Sequence, residues 1–235
     1  MSETPTGADF CLRIETVSDL ISPWCYISRR RLDCALAQMR GAVVPDMNWT
    51  PYEINPGMPS GGLPLDAYLT GVFGSVDAAQ PLLDGLIEAG RSDGIDFRFD
   101  RVTSVPNTLD AHRLVLLAEQ EERAGALIDR LFAAFFEQGR DIGDRDVLVD
   151  LAENAGMSAA QVEQWLTGEG GRNDVLVRQA RIREAGLTGV PGLILNGRVA
   201  VLGAQEPETL VQAIDQALFP SLQADQGSVT CLLYT

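Results

Sequence analysis

Two side chains three positions apart, Ser22 and Cys25, stand in Ser22-Pro23-Trp24-Cys25, where a run of alternating apolar residues gives way to a helical pattern. A hydroxyl or thiol at the start of a helix meets unpaired backbone N–H groups and the positive end of the helix dipole. Together these lower a thiol pKa by units rather than tenths. Disulfide exchange needs an attacking thiolate and normally a resolving partner. Ser22 can be neither. Cys25 lies a turn deeper, where burial raises a thiol pKa. Cys34 is nine helical positions further, ~13 Å along the axis by the helical rise, beyond disulfide reach. A solitary Cys25 nucleophile requires an exposed thiol; a small buried hydrophobe is the usual state of a free cysteine. Ser22 in turn has a plain alternative as a helix cap, a position serine favours.

The remaining candidates each carry a bland reading beside the chemical one. His112 is the sole histidine; it can act as a general acid or base near neutral pH, or simply hold one helix against the core. Asn107 suits a helix cap or a cleft-facing amide. Arg29, Arg30 and Arg31 can attract a carboxylate, or form a solvated helix face. Phe132, Phe135 and Phe136 read as core packing or as the wall of an apolar pocket. Trp24, inside the turn, is the better exposed aromatic contact.

Composition narrows the function classes. Asp and Glu outnumber Lys and Arg 33 to 18, a formal charge of −15. Such a surface repels phosphate backbones and anionic lipid, so neither nucleic acid nor membrane is an expected partner. All the basic residues are arginine, which removes Schiff-base chemistry by a lysine side chain. Cys11, Cys25, Cys34 and Cys231 fit no zinc spacing, and one histidine cannot complete a Cys/His site, so no metal is expected. The first ten residues lack a signal-peptide pattern, and no apolar run approaches the ~20 residues of a membrane span. A soluble, cytoplasmic protein is the expectation.

The elements that must position these groups follow from periodicity. Leu12 to Leu20 reads as a strand ending at Ser22-Pro23, with Pro23 in a helix's first turn. Leu32, Ala35, Leu36 and Met39 carry the helix to about Arg40, and Val43 to Ile54 forms a second strand. After the Pro- and Gly-rich break 55–64, Leu65 to Ala89 is helix-biased and Ile95 to Val105 extended. Helical stripes then run from Leu109 to Leu166, with Ser158-Ala-Ala-Gln161 resembling a capping box. A helix around Asp174 to Ala185 precedes Leu193-Ile194-Leu195, Asn196-Gly197 and Val199 to Leu202, a hairpin pattern. A last helix opens at Pro207. Strand, turn, helix and strand, a long helical stretch, then helix, hairpin and helix make an α/β chain: a mixed sheet interrupted by a helical insertion.

With these residues placed, Ser22-Pro-Trp-Cys25-Tyr-Ile, Asn107-Thr-Leu-Asp-Ala-His112-Arg113, and Gly189-Val-Pro191 through Gly203-Ala-Gln205 together resemble the FrnE-like branch of the DsbA family, from about Ile14 to Leu218. The resemblance implies a thioredoxin fold with an inserted all-helical domain. Residues 11–60 and 168–219 would form the two parts of the core, 61–167 the insertion, and 220–235 a flexible tail. It also implies a cis Val190-Pro191 peptide facing the turn. Redox members carry cysteine where Ser22 stands. Serine there is instead similar to kappa-class glutathione transferases and 2-hydroxychromene-2-carboxylate isomerase, whose serine hydroxyl holds glutathione as a thiolate. By that resemblance Ser22, Cys25 and His112 are the catalytic candidates, and Pro23, Trp24, Asn107, Val190, Pro191 and Gln205 contact substrate or thiol. No tightly bound cofactor is implied, but glutathione or another low-molecular-weight thiol is the cosubstrate. The expected partner is a small molecule, in an isomerase or transferase reaction. The alternatives are thiol–disulfide exchange through Cys25, or a non-catalytic binding protein. Related folds often form homodimers, which leaves that state open.

Overall fold

The computed structural model describes residues 10–220. Strand β1 (Phe10–Ser18) buries Leu12 and Ile14 on one face and directs Val17 to the other, the period-two alternation of a strand in the middle of a layer. Helix α1 (Pro23–Gln38) returns the chain to β2 (Val43–Pro51), which pairs with β1 in parallel. The other edge of β1 pairs antiparallel with β5 (Gly192–Leu195), which continues antiparallel into β6 (Val199–Leu202). The sheet order is β2-β1-β5-β6. Its hairpin turn closes with Arg198 N–H donating to the Leu195 carbonyl at 3.0 Å, and Asn196 and Gly197 both take positive φ (49° and 66°). Those two residue types tolerate that conformation best.

One face of the sheet is covered by α1 and α9 (Pro207–Leu218), with Leu32, Ala35, Leu210 and Ile214 packed on Leu12 and Ile14. The other face carries α8 (Arg172–Glu184), whose Ile182 meets Val17 and Tyr52. Gln179 and Glu53, both buried, tie α8 to the end of β2: the Gln179 amide donates to the Glu53 carboxylate at 2.8 Å.

Between β2 and α8 the chain is helical: α2 (Leu65–Phe73), α3 (Val76–Ser92), α4 (Leu109–Gln120), α5 (Ala124–Phe136), α6 (Arg145–Asn154) and α7 (Ala159–Thr167). The region read as one helix-biased run is two helices. Gly74 at φ 86° ends α2, and the Ser75 hydroxyl caps α3. The Ile95–Val105 segment, read as extended, forms a ladder only at β4 (Ser104–Val105), against β3 (Leu63–Pro64), and holds a short 3-10 turn, Phe99–Arg101. Its alternation records Ile95 and Phe97 turning inward against the helices, not strand pairing. Ser158 does sit at the N-cap of α7, but its hydroxyl makes no capping bond, so the capping box is not formed. The tail from residue 221 lies outside the described residues.

The helical segment does not have a core of its own. Leu20, Tyr26 and Ile27 from the sheet layer share one apolar cluster with Leu114, Leu131, Phe132 and Phe136. Tyr26 stacks on Phe132 at 5.0 Å between centroids, nearly parallel. Aromatic pairs at this spacing add to area burial. Among the described residues no helix is long and apolar enough to cross a membrane.

Candidate active site

The active turn is built by the end of β1 and the first turn of α1. Ser22, in extended conformation, is the N-cap: its Oγ accepts from Cys25 N–H at 3.3 Å and its carbonyl accepts from Cys25 and Tyr26 N–H. Pro23 takes the first helical position, where its missing N–H costs nothing. No acidic side chain occupies that first turn, so nothing on α1 offsets the positive end of its dipole beneath Ser22. With one lone pair of Oγ engaged by the helix, the hydroxyl keeps a proton to give, and the Cys25 thiol is one acceptor within its reach.

Ser22 lines a cavity of about 400 Å³. Ser22, Pro23 and Trp24 form one wall, and Gly189 and Val190 approach from the loop before β5. The Val190-Pro191 peptide is cis. Helices α2, α3 and α5 complete the enclosure with apolar side chains, among them Leu69, Leu83 and Phe136. Trp24 is 41 % exposed at the mouth. A more voluminous open cleft of about 570 Å³ lies beside Arg13, Arg181 and Arg198. It holds none of the sequence-predicted residues, so the Ser22 cavity is the chemical candidate despite its smaller size.

Cys25 does not share it. Its thiol opens instead on a separate space of about 70 Å³, between Ser18, Trp49 and Phe132. Burial pushes the thiol up to about 11, against the lowering effect of the Ser18 and Ser22 hydroxyls and the Asp19 backbone; the Asp19 carboxylate adds to the rise. This is the environment of a structural cysteine rather than a nucleophile. Cys25, Cys11 and Cys34 are all free thiols, and Cys231 falls outside the described residues.

His112 is likewise removed from the cavity. It is fully buried, with Nδ1 accepting from Trp49 Nε1–H at 3.3 Å and Nε2 facing Asp19 Oδ1 at 3.2 Å. Since Nδ1 accepts, the proton sits on Nε2 and the imidazole is neutral. The other Asp19 oxygen accepts from Ile54 N–H at 2.7 Å. His112 therefore fastens α4 to the end of β1, the plain alternative to acid–base chemistry. Asn107 is also a fastener: Oδ1 accepts from Leu109 N–H, Nδ2 donates to the Met58 carbonyl, and Thr108 holds the N-cap. It lines a polar cleft with Arg113 and Arg145, not the Ser22 cavity. Gln205 turns back to the Leu202 carbonyl and does not line the Ser22 cavity either. The arginine run is spent within the fold: Arg29 pairs with Asp129, Arg30 donates to the Tyr26 hydroxyl, and Arg31 pairs with Asp93 and Glu206. Among the described residues no cluster of metal-binding side chains occurs.

The structure thus joins Ser22, Pro23, Trp24 and Val190 at one cavity and leaves Cys25, His112, Asn107, Pro191 and Gln205 out of its lining. Two residues escaped the sequence reading. Asp19 is a polar residue between strand and turn, and its partner is 93 positions away. Tyr68 lines the cavity, yet it looks in sequence like any aromatic on a helix.

Residues 13–215 match the model of the DSBA-like thioredoxin domain. A probable DsbA oxidoreductase from Streptomyces coelicolor superposes with a TM-score of 0.81 at 30% identity, covering 94% of each chain. The uncharacterized protein YwbO of Bacillus subtilis is 28% identical over 211 residues, 86% of this chain and 96% of that one. At 18% identity, a 2-hydroxychromene-2-carboxylate isomerase shares the fold, with a TM-score of 0.67 over 92% of this chain and 100% of its own.

Proposed function

The chain belongs to the DSBA-like thioredoxin domain family, and on that premise we propose that it is an enzyme acting on a small molecule in the Ser22 cavity, by isomerisation or transfer, with a low-molecular-weight thiol as cosubstrate. The observation that carries this reading is the Ser22 hydroxyl at the positive end of α1, lining a cavity that Val190 also bounds. A thiol sulfur placed there loses its proton to solvent. Its anion is held by the Ser22 O–H and the Trp24 N–H, the first-turn N–H not already given to Ser22, as anions are at helix N-termini. The thiolate then either displaces a leaving group, forming a thioether, or adds to a conjugated double bond. In the second case the C–S bond forms, the former double bond rotates as a single bond, and expulsion of the thiolate restores it. No oxidant is consumed. A reducing compartment such as the cytoplasm, where such thiols are abundant, completes the proposal.

A second reading, disulfide exchange through Cys25 alone, is favoured by the likeness to the Streptomyces oxidoreductase. It is opposed by the burial of the thiol and its raised pKa.

The test is thiol titration of conjugation to chlorodinitrobenzene and of cis–trans isomerisation of a small enone. The rate is expected to saturate with thiol, and Ser22→Ala to lower kcat/KM by about 10²-fold, the scale for losing one preorganised donor. A rate independent of thiol, or a Ser22→Ala variant equal to wild type, removes the mechanism.

A further inference from the structure

Among the described residues, the wall of the Ser22 cavity contains no charged side chain. Its side-chain proton donors are the hydroxyls of Ser22 and Tyr68 and the indole N–H of Trp24 at the exposed mouth, apart from which the lining side chains are apolar. The apolar character extends to the rim, where Trp24, Ile54, Val72, Phe73 and Leu82 are all exposed and all face the cavity.

The Tyr68 hydroxyl resembles that of Ser22 in how it is held. Asn55 Nδ2 donates to its oxygen at 3.2 Å. A phenol that already accepts from a protein donor is left with its O–H to give away. The loop bearing Asn55 fixes the oxygen and α2 fixes the ring, so two elements set the place of the donor before any ligand arrives.

A ligand carboxylate or ammonium entering this cavity would lose its hydration and find no opposite charge, a cost of several kcal/mol in an apolar environment. A molecule carrying one carbonyl oxygen in an apolar frame would instead bury its carbon skeleton and satisfy the Tyr68 O–H. At about 400 Å³ the cavity lies near the small end of ligand sites.

We infer that the substrate is an uncharged, largely apolar α,β-unsaturated carbonyl compound, and that Tyr68 binds its carbonyl oxygen. This rests on the thiol reading of Ser22 and deepens it. The thiolate held by Ser22 adds to the β-carbon, the C–S bond forms, and the displaced π pair moves to the carbonyl oxygen. The resulting enolate oxygen accepts the Tyr68 hydrogen bond. Collapse of the enolate expels the thiolate, so atoms and electrons balance with no further reagent. The anionic ends of a thiol such as glutathione remain outside the apolar mouth, with only the sulfur reaching Ser22.

The experiment is a binding series without thiol, so that its outcome is separate from that of the Ser22 assay. Three probes of one shape are titrated by calorimetry into the full chain: acetylnaphthalene, naphthoate and naphthalene. Acetylnaphthalene is expected to bind at least about tenfold more tightly than naphthoate. Tyr68→Phe is expected to weaken acetylnaphthalene by about three- to tenfold, the worth of one hydrogen bond, and to leave naphthalene unchanged. An unchanged melting temperature shows that Tyr68→Phe keeps the fold. Naphthoate binding as tightly as the ketone overturns the inference, and so does a Tyr68→Phe variant with wild-type affinity for the ketone. Binding of an extended apolar peptide with no ketone binding also overturns it and assigns the groove to polypeptide. If the ketone ranking holds while Ser22→Ala retains full turnover, the thiol mechanism alone fails.

Discussion

Ser22 and Cys25 are separated by one helical turn, and the turn is enough to give them opposite environments. The N-cap serine projects out of the helix mouth into a ligand-sized space. The residue three positions later projects back into the apolar cluster under β1. With its pKa near 11, four units above neutrality, Cys25 holds roughly one thiolate in ten thousand at pH 7. Iodoacetamide at pH 7 is therefore expected to label exposed Cys11 and Cys34 readily, and Cys25 at least about a hundredfold more slowly until the protein unfolds; peptide mass mapping reads the order. Rapid labelling of Cys25 in the native state would revive the redox reading. The same shift sets a sign for alkaline stability. A thiol whose pKa rises from 9.0 to about 11 on folding contributes fully below pH 9 and loses its contribution as pH climbs to 11. Tyr26, pushed up to about 12 by burial and by its bond to Glu137, extends the loss upward. Urea midpoints are expected to fall between pH 9 and 11, less steeply in Cys25→Ala. The type and place of Ser22 were legible in sequence because a helix start is a local pattern. Which cavity each of the two side chains faces was not, because that depends on helices 40 to 110 positions downstream.

At the scale of elements, the buried polar residues join parts of the fold rather than perform chemistry. His112 on α4, Trp49 on β2 and Asp19 after β1 form one chain of hydrogen bonds, and Ser22 N–H donates at 3.2 Å to the carbonyl of that same Asp19. The active turn is thus set on a residue whose carboxylate is held from the helical segment. His112→Phe leaves the fully buried Asp19 carboxylate with the Ile54 N–H as its remaining hydrogen-bond donor. Taking a neutral donor away from a buried carboxylate costs about 1.5–3 kcal/mol, and urea unfolding is expected to show a loss of that size. Asp19→Asn keeps an acceptor for only one of His112 and Ile54 and turns an amide N–H toward the other donor, so it is expected to cost about 1–3 kcal/mol as well. If His112→Phe unfolds at the wild-type midpoint, the network carries no load. Arg113 plays a comparable part on α4: its guanidinium donates to the carbonyls of Trp165, Gly168 and Gly170, tying down the end of α7 and the turn after it. The helical periodicity of α4 and α5 made them readable as helices. Neither His112 nor Arg113 disclosed its role, since periodicity tells which face is buried and not what a buried polar group meets.

At the scale of the whole molecule, the helical segment is an insertion in chain order but not in packing. The order strand, turn, helix, strand, helices, helix, hairpin, helix was readable because each boundary is marked by Gly, Pro or a change of period. A boundary in sequence does not require a boundary in the core. Tyr26 stacks on Phe132, and its hydroxyl donates to Glu137 at 2.6 Å, so one residue of α1 is committed on two sides to α5 and the loop after it. Arg31 of α1, itself nearly buried, pairs with Asp93 beyond α3 at 2.9 Å. The Ser22 cavity has walls from both parts and exists only when they are assembled. A single cooperative unit follows from a shared core, because opening either part exposes apolar surface on the other. Calorimetric unfolding is expected to give one transition with equal calorimetric and van't Hoff enthalpies. A fragment of residues 61–167, deprived of Leu20, Tyr26 and Ile27, is expected to show no cooperative melt and to expose apolar surface to a hydrophobic dye. A fragment that melts cooperatively, or two resolved transitions in the full chain, would mean that the helices fold on their own and that the cavity lies at a hinge between two bodies.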